Sequence, residues 1–239
     1  MKTKLAIAAL LLASAAPLAA HAAGIQANLS TSYANFSNGG GDLWNIDGAI
    51  ATGLGGNWGA ELTGGYHNSS GSAGNFGGGV SYSGSDYRLA LSGNYLNLGG
   101  FSLANYGVGG EWYASSQWTV GVRGGGVSGT GGTSGGYAGG EVKFYVTPNL
   151  VLNGGVDYID FGGGNVTSED ISAEWLISQT CPISLFGGYQ HTDAGGSVDA
   201  FFVGLRIYTN EPGGSALVDR QRSGNLGFLD GMPYLGKTL

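Results

Sequence analysis

The chain has 239 residues, 50 of them Gly and only 10% charged, with a single Cys and a formal net charge of −7. Glycine on this scale disfavours helix, at roughly 1 kcal/mol per interior position, while 42% hydrophobic and 11% aromatic residues are too many for a chain that cannot bury surface. One cysteine excludes an internal disulfide, and an acidic chain without a Lys/Arg cluster has no surface for tracking phosphates, so nucleic acid is excluded as a partner.

In chain order, Lys2 and Lys4 precede an apolar run from Leu5 to Leu12 and a small-residue stretch ending Ala20-His21-Ala22. That order of charge, hydrophobe and A-x-A reads as a secretory leader, residues 1–22, cleaved after Ala22. The apolar run is too short for a spanning helix. Loss of the leader leaves seven basic and sixteen acidic residues.

From there to Thr209 the chain alternates with a period of two. In the stretch 139–161, Val142, Phe144 and Val146 alternate with Glu141, Lys143 and Tyr145; Thr147-Pro148-Asn149 turns the chain; Leu152, Gly154, Val156 and Tyr158 then alternate with Asn153, Gly155 and Asp157. This is a hairpin with one apolar and one polar face. The stretch 105–123 repeats the form around Ser115-Ser116, with Trp112 and Trp118 flanking the turn.

About twelve such segments are expected, near 25–36, 43–54, 57–67, 75–83, 86–98, 102–113, 117–127, 136–147, 150–161, 169–178, 182–191 and 198–209. Most have about 9 to 12 residues, the length with which a tilted strand crosses a bilayer. Tight connections at Gly55-Gly56, Gly84-Ser85, Ser115-Ser116, Thr147-Pro148-Asn149 and Thr180-Cys181-Pro182 alternate with longer polar ones such as HNSSGSAGN and VSGTGGTSGG. Aromatic residues, among them Trp44, Trp58, Trp112, Trp118 and Trp175, gather near segment ends.

Leader, alternation, the two classes of connection and the aromatic positions together resemble a Gram-negative outer-membrane β-barrel of the porin-like kind. The resemblance covers residues 23–209 and implies an all-β, closed, antiparallel up-and-down transmembrane barrel of about twelve strands, ten to fourteen being compatible. It further implies insertion in the outer membrane, short turns in the periplasm, loops outside, and lipid with lipopolysaccharide as surroundings. The chain departs from the pattern in continuing for about thirty residues beyond its last strand.

A charge facing lipid at mid-bilayer costs about 2–4 kcal/mol for Arg or Lys, so mid-strand charges should share the lumen phase. Asp47, Glu61, Arg88, Glu111 and Arg123 do, as do Glu141, Lys143, Asp157, Glu174 and Arg206. They are expected to line the pore and to form a mixed-sign constriction near the short-turn end. The reading is a channel for passive diffusion of small hydrophilic solutes, cation-preferring through its acidic excess. The alternative is a non-conducting barrel, its interior filled by salt bridges, in which the loops carry structural or surface-interaction roles. A soluble sandwich would also alternate, with charge outward.

Lumen-side glycines are expected to leave room inside. No enzyme, cofactor or metal site is expected. His67 lies within reach of Ser69 and Ser70, and His191 sits at a second strand end, but neither completes a catalytic pattern. Asp160, Glu169, Asp170, Asp193 and Asp199 read as solvated loop acids, and Cys181 as a small turn residue. Residues 210–239 lack alternation and carry Arg220, Arg222 and Lys237. They are expected to be a periplasmic extension, or a plug in which Arg220 and Arg222 meet the lumen acids while Phe228 and Tyr234 pack behind them.

Overall fold

A computed structural model describes residues 25–37, 41–68, 72–97, 100–179, 182–209 and 216–223. The leader, Ser69, Ser70, Cys181, Phe228 and Tyr234 lie outside the described residues. Twelve strands follow one another: β1 (Ile25–Phe36), β2 (Asp42–Gly55), β3 (Trp58–Asn68), β4 (Ser72–Ser83), β5 (Tyr87–Asn97), β6 (Ser102–Trp112), β7 (Trp118–Gly129), β8 (Ser134–Thr147), β9 (Leu150–Asp160), β10 (Asn165–Leu176), β11 (Ile183–Asp193) and β12 (Ser197–Tyr208). Among the described residues one short α-helix, α1 (Leu217–Ser223), comes after them.

Each strand pairs antiparallel with its sequence neighbours, and β12 returns to pair with β1, so the ladder closes into a barrel. Closure leaves no edge, which is the condition for a sheet in hydrocarbon. An eleven-residue strand such as β6, tilted by about 40°, rises about 28 Å, matching the apolar band of such barrels.

The two faces are sorted as the alternation requires. Outward positions are apolar and exposed, with Ile171 at 64% and Phe201 at 65%, whereas inward Arg88 is 2% exposed. This is the reverse of a soluble sandwich. Trp58, Trp112, Trp118 and Trp175 ring the short-turn end on the outside, and Trp44, Tyr95, Tyr106 and Tyr158 ring the other, where amphipathic rings suit headgroup depth. The β2–β3 turn depends on Gly55 and Gly56, whose φ of 109° and 59° disfavour residues with a Cβ.

One expectation is corrected. The loops opposite the short turns are not long, because β4, β8 and β10 begin at Ser72, Ser134 and Asn165, inside stretches rich in Gly, Ser and Asn. Consecutive strands at that end are separated by three to five residues. Ladder pairing fixes these segments despite their weak intrinsic strand preference.

Candidate functional site

All ten charged residues expected inside project inward, and nine of them form three groups that a single ring does not describe. On β5 and β6, Arg88 and Glu111 are direct register partners, with Arg88 Nη2 donating to Glu111 Oε2 at 2.6 Å. Lys143 Nζ on β8 reaches Glu111 Oε1 at 3.3 Å and Glu141 Oε1 at 2.8 Å. The reach from β6 to β8 crosses β7 at Gly121, which opposes both Glu111 and Glu141. Glu61, 3% exposed on β3, is buried at the same end.

The second group centres on Glu174 of β10. Its Oε1 accepts hydrogen bonds from Ser184 Oγ at 2.5 Å and Tyr208 OH at 2.8 Å, while Oε2 accepts from Arg206 Nη1 at 2.6 Å. The third lies nearer mid-barrel: Arg123 Nε and Nη2 donate in parallel to Asp157 Oδ1 and Oδ2 at 2.8 and 2.5 Å. This bidentate pair joins β7 to β9 across β8, where the register position between them is Gly139. Asp47, 31% exposed, stands apart from the three, its Oδ1 lying 3.8 Å from His67 Nε2.

The expectation about lumen glycines is therefore corrected. A Cβ on Gly139 would collide with the Asp157 carboxylate and Arg123, one on Gly65 with Asp47 and Asn75, and one on Gly77 with Asn94. These glycines let a neighbouring polar side chain lie across the strand, so the space is occupied. Gly139→Val is expected to lower stability by about 1–3 kcal/mol, the usual overpacking range, and Gly163→Ala, at a position with open space, to change nothing. Urea unfolding in detergent measures both.

Helix α1 sits in the short-turn mouth. Leu217 is fully buried against Tyr145, Val151, Leu176 and Tyr208, and the Val218 N–H donates to the Pro148 carbonyl at 3.1 Å. Gln221 Nε2 donates to Glu174 Oε2 at 3.2 Å and its Oε1 accepts from Tyr145 OH at 3.0 Å. The arginines do not behave as a plug built on lumen acids would require. Arg220 Nη1 donates to the Thr209 carbonyl at 2.7 Å and stacks over Tyr208. Arg222 donates to Thr119 Oγ1 and to the Ser115 and Trp118 carbonyls, and lies over Tyr113 and Tyr145. Tyr113 OH lies 3.3 Å from Glu111 Oε2 and 3.2 Å from the Arg222 carbonyl, its one proton available to either, tying rim to helix. Burial pushes its hydroxyl up to about 12, so it stays a neutral donor.

Above α1 lies a cavity of about 220 Å³ with Gln221 in its floor. Serine, threonine and asparagine of β1 to β4 form one wall, and Arg123, Glu141, Lys143, Glu174 and Arg206 belong to the other. Three lining residues escape sequence reasoning. Asp170 lines the cavity instead of a loop; the shared parity of 170, 172 and 174 reveals this once β10 is known to begin at Asn165. Phe186 and Phe202 also line it, and their signal is an apolar residue standing in the polar phase of its strand. Toward the loop end the inner wall turns apolar, where Val127, Tyr137, Ile159 and Val166 cluster.

His67 and His191 both have structural partners. His67 points inward, 3% exposed, with Nδ1 2.7 Å from Asn45 Oδ1. His191 faces outward at the loop end, Nδ1 2.7 Å from Asp199 Oδ1, which also accepts from Tyr189 OH at 2.6 Å. Asp199 is thus a strand residue with two donors, not a loop acid.

No family model matches the sequence, and no curated protein matches it either. Solved structures share the fold. The KdgM porin superposes with a TM-score of 0.61 at 8% identity, over 75% of this chain and 98% of its own. The NanC porin gives 0.62 at 10% identity over the same shares. An outer membrane channel from Pseudomonas putida F1 gives 0.53 at 10% identity, over 77% of this chain and 93% of its own.

Proposed function

We propose that the chain is an outer-membrane channel through which small hydrophilic solutes diffuse passively, with α1 narrowing its periplasmic mouth. The observation that carries this reading is a closed barrel with an apolar exterior and a polar cavity of about 220 Å³ inside. Porins and outer-membrane channels of the same fold support it. The barrel sits with its short turns and α1 toward the periplasm and the His191 end toward the outside.

The channel prefers cations. Arg123, Lys143 and Arg206 are each held by a carboxylate partner, while Asp47 and Asp170 add further negative charge to the cavity wall. Fixed charge of one sign at a narrow point sets ion preference. Purified protein in a planar bilayer under a salt gradient is expected to give a reversal potential of the sign set by cation flow, reduced in Asp47→Asn/Asp170→Asn. A potential of opposite sign would overturn the preference.

The alternative, a non-conducting barrel, draws on the three ion-pair groups and α1, which together occupy much of the interior. Liposome swelling separates the two. A channel gives swelling rates that fall with solute size, and a filled barrel gives none.

A further inference from the structure

The inner wall changes character near the loop end. Along the cavity it is largely polar, as a lumen in contact with water requires, but above it six consecutive strands each turn an apolar side chain inward: Leu96, Leu103, Val127, Tyr137, Ile159 and Val166, on β5 to β10. None of the six lines the cavity. Leu96 opposes Leu103 in the ladder, and Ile159 opposes both Tyr137 and Val166. The change takes a single step, because the next inward positions on β5, β6, β9 and β10 are Asn94, Asn105, Asp157 and Ser168. On the far side Ala34 and Leu43, register partners on β1 and β2, are buried in the same way.

The height of this collar gives it meaning. Tyr95 and Tyr158, the outward neighbours of Leu96 and Ile159, belong to the aromatic ring at headgroup depth, so the collar stands where an open mouth would hold water. Side chains around such a mouth would be wet. All six are between 0 and 8% exposed. Glycines permit that packing: a Cβ on Gly129 of β7 would strike the Leu103 side chain, and one on Gly107 of β6 would strike the Tyr137 hydroxyl, which reaches over from β8. Phe161, in the β9–β10 connection, packs against the same cluster. An apolar constriction that excludes water bars ions and hydrated solutes, since a solute would shed its hydration beside groups that offer no hydrogen bond. If the collar merely braced the barrel, added polarity at constant shape would leave access to the cavity unchanged.

We propose that this collar is a hydrophobic gate across the loop-end mouth, holding the polar cavity between a dry seal and α1 and opening when water enters between its side chains. Its role as a gate rests on the channel reading, but its closure can be read without conductance. In the full chain in detergent, carrying Cys181→Ser and Ser172→Cys, the new thiol stands in the cavity wall, and its modification by the cationic reagent aminoethyl methanethiosulfonate reports access. Val127→Thr, which adds a hydroxyl at nearly constant shape, and Leu103→Asn are expected to speed that modification several-fold and to raise the open fraction of single-channel records. Apolar Leu103→Met should change neither. Entry past α1 is common to all variants, so the difference belongs to the collar. Should Leu103→Asn fail to fold, Val127→Thr decides: a rate equal to the parent's overturns the gate. A rate that rises only in step with lost urea stability marks a loosened barrel and overturns it too. Faster labelling in a barrel that never conducts would keep the seal and sink the channel; conductance with equal labelling rates does the reverse.

Discussion

Deletion of residues 211–239 is expected to raise single-channel conductance several-fold. Helix α1 spans the mouth from β1, where Ser223 Oγ lies 3.3 Å from Gln26 Nε2, to β7, where Arg222 holds Thr119. It supplies the floor of the cavity through Gln221, so an axial path must pass it. Its hold is of known size. Burying Leu217 contributes about 1.5–3 kcal/mol, and each hydrogen bond from the Arg222 guanidinium contributes about as much as other charge-assisted bonds, roughly 1.5–3 kcal/mol. Leu217→Asp should therefore mimic the deletion, because an ionised carboxylate cannot remain in that apolar site. Equal conductance for the full and shortened chains would show that the helix does not limit flow. Since seven residues cannot form a stable helix alone, the undocked segment should also lose its helical structure.

Glu111→Gln is expected to destabilise the barrel by about 3–5 kcal/mol, the cost of leaving a buried cation without its partner. Glu111 is the one carboxylate that serves Arg88, Lys143 and the Tyr113 hydroxyl at once. Arg88 is 2% exposed and cannot turn to water. The double variant Arg88→Met/Glu111→Leu should recover only part of the loss: apolar residues commonly replace a buried ion pair without penalty, but Lys143 and Tyr113 still lack Glu111 and the buried Glu61 loses the nearby Arg88 cation. Urea unfolding in detergent, followed by the fluorescence of the neighbouring Trp112, gives the midpoints. An unchanged midpoint for Glu111→Gln would mean that the group is solvated and the charges act independently.

How much of this was legible in the sequence follows from the range of each interaction. Alternation along one strand is a local property, so the twelve segments and the inward phase of Asp47, Glu61, Arg88 and the seven other charges could be read directly. The alternation also carried the location of the connections at the α1 end, because each of them, two to six residues long, interrupts the pattern. It failed where composition was used instead. Stretches of Gly, Ser and Asn, Asp170 among them, resemble loops by composition, although they complete the ladder.

Tail and glycines needed the whole barrel. One partner of Glu174 is Gln221, 47 residues away, and Arg123 finds Asp157 34 residues along the chain and two strands over. Nothing in strand periodicity says which side chain leans across which glycine. The sequence by itself determined that this chain would roll into a closed, lipid-facing barrel, because unpaired backbone cannot survive in hydrocarbon and the side-chain period is two. Only the tertiary structure decided that several lumen glycines are covered, that two phenylalanines line a polar cavity, and that a seven-residue helix floors it. Those outcomes depend on curvature and on contacts between strands that are distant in sequence, and closure alone fixes both.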